Sequence, residues 1–359
     1  MTAKNFPKFF IGEDSSIRDA IACIDTGGKG IALIVDSEQH LIGTVSDGDV
    51  RRAMLAGENL DTGVQVLLDA KQSGPYAKPI TASIKTPPEK ILALMQEYVI
   101  SQVPLLDEEG RVVEVVLMEE MLPEQAAPLQ AVIMAGGEGM RLRPLTDDVP
   151  KPMLPVGDRP LMELVIEQLR NSGIEQINIS TRYLGDKIKS HFGNGNALGV
   201  ELNYVTEDRP LGTAGALGLM EHPNTPLLVI NGDILTRLDF RAMLAFHRKH
   251  QAELTVAVRQ FDMQVPYGVV DCNGPFVKEV REKPSYRFFV NAGIYLLEPS
   301  VLSCIPNGER YDMTDMIQQL LDEGRTVANF PIMEYWLDIG KHDDYEQAQD
   351  DVKNGRFKP

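Results

Sequence analysis

The chain has 359 residues, 43% of them hydrophobic and 24% charged, the proportions of a soluble globular protein long enough for two domains. Lys and Arg number 35 against 52 Asp and Glu, and the net charge of −17 argues against a nucleic-acid or anionic-membrane partner. Cys23, Cys272 and Cys304 are widely spaced, match no zinc pattern and read as free thiols; residues 1–7 lack a signal-peptide core and nothing approaches the ~20 apolar residues of a membrane span, so a cytoplasmic protein is expected.

Residues 1–121 contain an internal repeat. Ile31-Ala32-Leu33-Ile34-Val35-Asp36 leads through a polar turn to Leu41-Ile42-Gly43-Thr44-Val45-Ser46. Gln102-Val103-Pro104-Leu105-Leu106-Asp107 leads in the same way to Val112-Val113-Glu114-Val115-Val116, at an offset of 107 − 36 = 71 residues. A helical pattern precedes each predicted hairpin: Ile17, Ala20, Ile21 and Ile24 in the first copy, Ile91, Leu94, Met95 and Tyr98 in the second. A short helix follows each. One such unit cannot bury its own apolar face, so the two copies are expected to pair into one small α/β domain.

This repeat resembles a tandem pair of CBS domains. In that family a G-x-[VI]-[ST]-x-x-D run holds the ribose and phosphate of an adenine nucleotide. Copy one has it as Gly43-Thr44-Val45-Ser46-Asp47-Gly48-Asp49. The resemblance implies a regulatory nucleotide there, with Ser46 as hydroxyl partner, Asp49 as ribose acceptor and Arg51 and Arg52 near the phosphate. A bare N-cap by Ser46 and Asp49 for the helix that follows is the competing reading, and the two roles can share residues. Copy two lacks the hydroxyl and the aspartate, so at most one site is expected. Paired CBS modules also lead us to expect a homo-oligomer. Residues 122–129, with two prolines, read as a linker to a second domain at 130–359.

That second domain opens on an apolar run, Ala131 to Ala135, followed by Gly136, Gly137 and Gly139 and then by Arg141, Arg143 and Lys151. Glycines let backbone N–H groups converge on an anion, and the cations add fixed charge, so a polyphosphate site is expected. Leu142 stands where a dinucleotide-binding G-x-G-x-x-G needs its third glycine, and no G-K-[ST] closes a P-loop. Strands then alternate with helices, with strands expected at 174–181, 200–206, 227–230 and 254–258. Helices are expected at 161–170, 184–192, 213–220 and 239–250. An antiparallel, turn-rich region at 267–280 precedes a strand at 291–297 and helices at 313–321 and 345–352. The fold expected is α/β and doubly wound, Rossmann-like, behind the small repeat domain.

G-G-x-G-x-R-L-x-P-L-T followed by Pro150-Lys151-Pro152-Met153 resembles the signature of sugar-1-phosphate nucleotidyltransferases, whose domain is glycosyltransferase-A-like. The resemblance implies transfer of a nucleotidyl group from an NTP to a hexose or aminohexose 1-phosphate for surface-glycan precursors, with Mg²⁺ as cofactor. Ala135, Gly136, Gly137, Gly139 and Met140 would cradle the nucleotide, although Met140 replaces the family's usual Thr or Ser. Arg141 and Lys151 would stabilise the transferring phosphates. Asp233, at the end of the apolar run 227–231, and Asp338 in Trp336-Leu337-Asp338-Ile339-Gly340 would hold the metal. Gly268, Glu282, Lys283 and Asn291 match the family's Y-G-V, E-K-P and N-A-G runs and would take the sugar phosphate, with Lys283 on the attacking phosphate. Gly212 and Thr213 in Pro210-Leu211-Gly212-Thr213-Ala214 would line the nucleotide. Glu207 stands where pyrimidine-using relatives often carry Gln. A carboxylate only accepts hydrogen bonds, which suits guanine N1–H and N2–H₂, so GTP is the favoured NTP. A uridylyl- or thymidylyltransferase and a catalytically reduced nucleotide sensor are the rival readings.

Overall fold

The computed structural model describes residues 6–72, 77–98, 100–121, 129–221 and 223–357. Most of the expected linker, 122–128, lies outside the described residues, as does the N-terminal stretch 1–5. The chain divides into two compact units, Met1–Gln125 and Ala126–Pro359.

In the first unit each repeat forms a three-stranded sheet. Ile31–Val35 pairs antiparallel with Leu41–Ser46, and Gln102–Leu106 with Val112–Leu117. Both sheets gain a two-residue parallel strand, Phe10–Ile11 and Ala82–Ser83, too short to show in the apolar pattern. The helices Ile17–Gly27 and Pro88–Tyr98 follow the expected periodicity. Ile31, Leu33 and Val35 of one copy share a core with Val112, Val115 and Leu117 of the other, so each repeat covers apolar surface its twin leaves open. A β-bridge between His40 and Arg111 joins the two hairpin turns.

The second unit is built on a seven-stranded mixed sheet. Its strands run Glu201–Thr206, Gln176–Thr181, Gln130–Ala135, Leu227–Asn231, Ser285–Leu297, Leu254–Gln264 and Val327–Ile332 from edge to edge. The first four are mutually parallel, and Ser285–Leu297 is antiparallel to both its neighbours. Strand order therefore reverses between Gln130–Ala135 and Leu227–Asn231, the switch point beyond whose carboxyl ends α/β sheets bind ligands. Both strands are apolar along their length because helices cover both faces of the sheet. Leu161–Asn171, Gly185–Phe192 and Phe240–Lys249 close one core, around Ile133, Ile166 and Phe330. Met313–Asp322 and the Gly212–Leu219 segment close the other, around Val132, Tyr295 and Met316.

Two expectations change. Residues 213–220 are one short α-turn, Gly212–Gly215, continued as a 3-10 turn, because Gly212, Gly215 and Gly218 give little helical preference. The strands expected at 254–258 and 291–297 extend to Leu254–Gln264 and Ser285–Leu297, which leave the sheet as a long ribbon ending in the hairpin Val269–Asn273/Phe276–Arg281. The exposed ribbon has no alternating apolar pattern to announce it. Among the described residues no helix is long and apolar enough to cross a membrane. All three cysteines are free.

Candidate active site

The glycine loop leaves the Gln130–Ala135 strand at the switch point. Gly139 sits at φ 63°, and a side chain there would meet Thr146 at 2.9 Å and Lys151 at 3.2 Å. The Thr146 hydroxyl donates to the Gly139 carbonyl at 2.8 Å and pins the loop from beneath. Met140 is 64% exposed on the lip, so its substitution for a hydroxyl residue leaves the loop's packing unchanged. Leu142 is buried in a small cluster with Leu154, Leu235 and Ile339. Chain neighbours of two of these, Arg141 and Asp338, are thereby held at the same rim, and the Arg141 guanidinium lies 3.6 Å from where a Gly340 side chain would begin.

The two expected metal carboxylates come together. Ile234–Thr236 pairs antiparallel with Trp336–Asp338, with Ile234 opposite Asp338, and Ile339 N–H donates to the Asp233 carbonyl at 3.0 Å. This two-stranded ladder brings positions more than a hundred residues apart side by side. Lys151 Nζ pairs with Asp233 Oδ2, while Asp233 Oδ1 is buried with no hydrogen-bond partner. A buried carboxylate oxygen without a donor is costly, and a cation is the partner its chemistry accepts. Asp338 is open at the rim, yet protein packed around it withdraws water from its carboxyl and raises its pKa. Repulsion from Asp233 raises it further, while Lys151 and Arg141 oppose the shift. No cluster of three or more metal-ligating side chains exists among the described residues. Two carboxylates with substrate phosphates completing the shell suit Mg²⁺, and the pair fits that ion.

Other expected residues are placed differently. Glu207 is 7% exposed: Oε1 accepts from the Ser180 hydroxyl at 2.6 Å and Oε2 from Leu211 N–H at 3.1 Å. It ties the end of the Gln176–Thr181 strand to the turn that leads into Gly212–Gly215, and each oxygen keeps one lone pair. Thr213 serves the fold. Its hydroxyl accepts from Met313 N–H at 2.8 Å and its own N–H donates to Asp312 at 2.9 Å, docking the turn on the helix Met313–Asp322. Gly212, at φ 82°, leaves no room for a side chain against Tyr311 and Asp312. Asn291 shapes a bulge, its amide bonded to Gly293 N–H and the Tyr295 hydroxyl. Gly268, Glu282 and Lys283 lie exposed on the hairpin, and neither Glu282 nor Lys283 bonds to any described residue. Lys283 is held at φ 44°, a strained setting for a non-glycine residue.

Residues 130–355 match the family described as Nucleotidyl transferase. The chain belongs to that family. Residues 3–56 and 76–126 match the CBS domain, so the first unit is a pair of CBS domains. The chain is 34% identical over 242 residues to a UTP--glucose-1-phosphate uridylyltransferase of Synechocystis, covering 61% of this chain and 62% of that protein. It therefore spans less than two thirds of that relative's length. It is 31% identical over 229 residues to the D-glycero-alpha-D-manno-heptose 1-phosphate guanylyltransferase of Aneurinibacillus thermoaerophilus, covering 63% of this chain and 99% of that one. The structure of HddC from Yersinia pseudotuberculosis complexed with GMP-PN aligns at a TM-score of 0.50 and 26% identity, over 62% of this chain and 99% of that chain.

Several residues of this nucleotidyl transferase site carry no motif signal. Asn231 packs its amide 2.6 Å from where a Gly293 side chain would start, and Trp336, which does open the run that carries Asp338, donates from Nε1 to the Ala292 carbonyl at 2.9 Å, so both brace the bulge at Asn291. Ser180 and Arg182 flank the loop from the next strand. The turn of residues next to the ends of parallel strands was the available signal.

In the first CBS copy, Ser46 and Asp49 form a reciprocal capping box on the helix Asp47–Leu55. Asp49 also pairs with Lys71 and Arg52, and Arg51 is buried at 3% exposure near Asp47. Helical rotation turns Arg51 inward, while Arg52 stays exposed.

Proposed function

We propose that this chain transfers a nucleotidyl group, GMP by preference, from an NTP to a hexose or aminohexose 1-phosphate, releasing pyrophosphate and supplying NDP-sugar for surface-glycan synthesis. The observation that carries the reading is the pair Asp233 and Asp338, brought together at the switch point beside the glycine loop, with Asp233 Oδ1 lacking a donor. Both substrates are anions, so the barrier is charge repulsion and positioning. Loop N–H groups would receive the NTP phosphates. Lys151 and Arg141 would neutralise charge developing on the transferred phosphoryl group, and Lys283 would bring in the attacking sugar phosphate. Asp233 and Asp338 would hold Mg²⁺, which supplies Lewis-acid polarisation of phosphoryl oxygens.

The guanine preference rests on the accepting carboxylate of Glu207 and on the guanylyltransferase relative; the uridylyltransferase relative supports the rival base. Pyrophosphate release with GTP, UTP, dTTP, ATP and CTP, each crossed against mannose, glucose, glucosamine and heptose 1-phosphates, tests the reading. Turnover with GTP supports it, and turnover with UTP or dTTP alone replaces the base. Silence from folded protein with every pair would leave a nucleotide sensor as the better description.

A further inference from the structure

Nine of the sixteen large hydrophobic side chains exposed among the described residues fall between 261 and 289, on the ribbon and its terminal hairpin. Tyr267 and Phe276 are 75% exposed, and Phe261, Phe288 and Phe289 between 39% and 54%. Strand register gathers them. Phe261 lies opposite Phe288 and Met263 opposite Tyr286, so these four share one face of the ribbon. On the hairpin Val270 lies opposite Val280 and Cys272 opposite Val277, and Cys272 is exposed with them. Apolar residues also stand as chain neighbours, Phe276 with Val277 and Phe288 with Phe289, so both faces carry apolar surface. A monomer rarely leaves so much of it open, least of all on a two-stranded element that gains little stability by itself.

Charge and area say what covers it. Residues 261–289 hold four acidic and four basic side chains, so the ribbon is neutral in a chain of net charge −17. Arg287 pairs with Asp262 and Lys278 with Asp271, within the ribbon itself. Two copies of so acidic a chain repel over most of their surface, and here they can meet without that cost. The same neutrality offers a strongly basic or acidic partner no complementary charge. At about 150–250 Å² for an aromatic side chain, the five rings leave roughly 450 to 700 Å² open at their exposures. Met263 and the valines bring the patch to about the 800 Å² per partner of a standard interface. We propose that this ribbon is a two-fold dimer interface, covered by the same ribbon of a second copy. Two-fold symmetry sets each patch against its own twin, so no other matching surface is needed. The hairpin also carries Gly268, Glu282 and Lys283, which the dimer would steady. That consequence rests on the transferase reading above, and the interface does not.

Analytical ultracentrifugation of the full chain at micromolar concentration should show a dimer. Phe276→Glu or Val280→Glu sets like charges against each other in the twin ribbons and should raise the dissociation constant about 100-fold or more. Val280→Thr keeps a branched strand side chain and should raise it about 3- to 10-fold, which separates a lost contact from a misfolded hairpin. Cys272 maps the interface. A bulky maleimide, located by peptide mass spectrometry, should label it several-fold more slowly in the dimer than in dilute wild type or in the Glu variants. A monomer at every concentration overturns the proposal and leaves the face to another macromolecule. A dimer that survives both Glu substitutions, with Cys272 as reactive as in dilute protein, also overturns it, because the interface then lies elsewhere on the chain.

Discussion

Asp233 and Asp49 occupy similar places in two halves of one chain. Each follows a strand, and each lies in a run that implies nucleotide chemistry, yet their carboxylates are in opposite condition. Asp49 has donors on both oxygens: Oδ2 accepts from Ser46 N–H and from the Ser46 hydroxyl, both at 2.8 Å, Lys71 pairs with the same oxygen, and Arg52 takes Oδ1. Asp233 has Lys151 on one oxygen and nothing on the other, with a second carboxylate pressing on it. Buried polar atoms are normally satisfied, so the deficit marks where a ligand must come from outside, and the satisfied residue marks a joint of the fold. An adenine nucleotide at the first CBS copy would meet an Asp49 carboxylate already held by Ser46, Lys71 and Arg52.

The sharpest way to break this comparison is at Asp233. Asp233→Asn should lower pyrophosphate release by about 10³-fold while far-UV circular dichroism and thermal unfolding stay near wild type, because the carboxylate's task is transition-state charge. Activity within tenfold of wild type would remove Asp233 from the mechanism. Asp338→Asn should cost about 10²-fold in the same assay and yet stabilise the metal-free protein at neutral pH. The sign follows from the raised pKa: the folded state holds that proton more tightly than the unfolded one. Stability is then fully present below the unfolded carboxylate value and is lost as pH rises through the folded value. Asparagine carries no such loss, so the variant's advantage in chemical denaturation should vanish in acid and grow toward pH 7. A variant less stable at pH 7 would show that Lys151 and Arg141 outweigh the repulsion.

Substituting Asp49 moves the effect from chemistry to stability. Asp49→Asn leaves Lys71, whose side chain is 15% exposed, without its anion, and should destabilise the N-terminal unit by about 2 to 3 kcal/mol in denaturant unfolding of the full chain. Basal turnover should be unchanged. A large fall in turnover with the unit intact would make the residue functional after all.

What could be read from the sequence follows the same division. The glycine loop and the convergence of Asp233 with Asp338 were legible because their runs carry particular residues at particular spacings, and the repeat was legible from two copies of one hydrophobic pattern. The role of Thr213 was not, since its partners Asp312 and Met313 lie about a hundred residues away and nothing local advertises a reciprocal cap. The pairing of Arg182 with Glu138 was hidden for the same reason, because it depends on which strands the sheet makes neighbours. The ribbon was misjudged in length because exposed strands on both faces need no alternation.

The smallest effect is the most discriminating for the CBS pair. Ser46 gives its side-chain oxygen to Asp49 N–H at the helix start and its hydroxyl proton to the Asp49 carboxylate. Ser46→Ala should therefore cost about 1 kcal/mol, the ordinary worth of an N-cap, while Ser46→Asp or Ser46→Asn recovers most of the cap. Calorimetry of AMP and ATP with the full chain then separates the two roles. If wild type binds neither nucleotide, the capping box is the whole function of Ser46 and Asp49. If wild type binds and Ser46→Asn, with its cap restored, still loses affinity by about tenfold, the hydroxyl touches the ligand and the donor set on Asp49 is a resting state that the nucleotide changes.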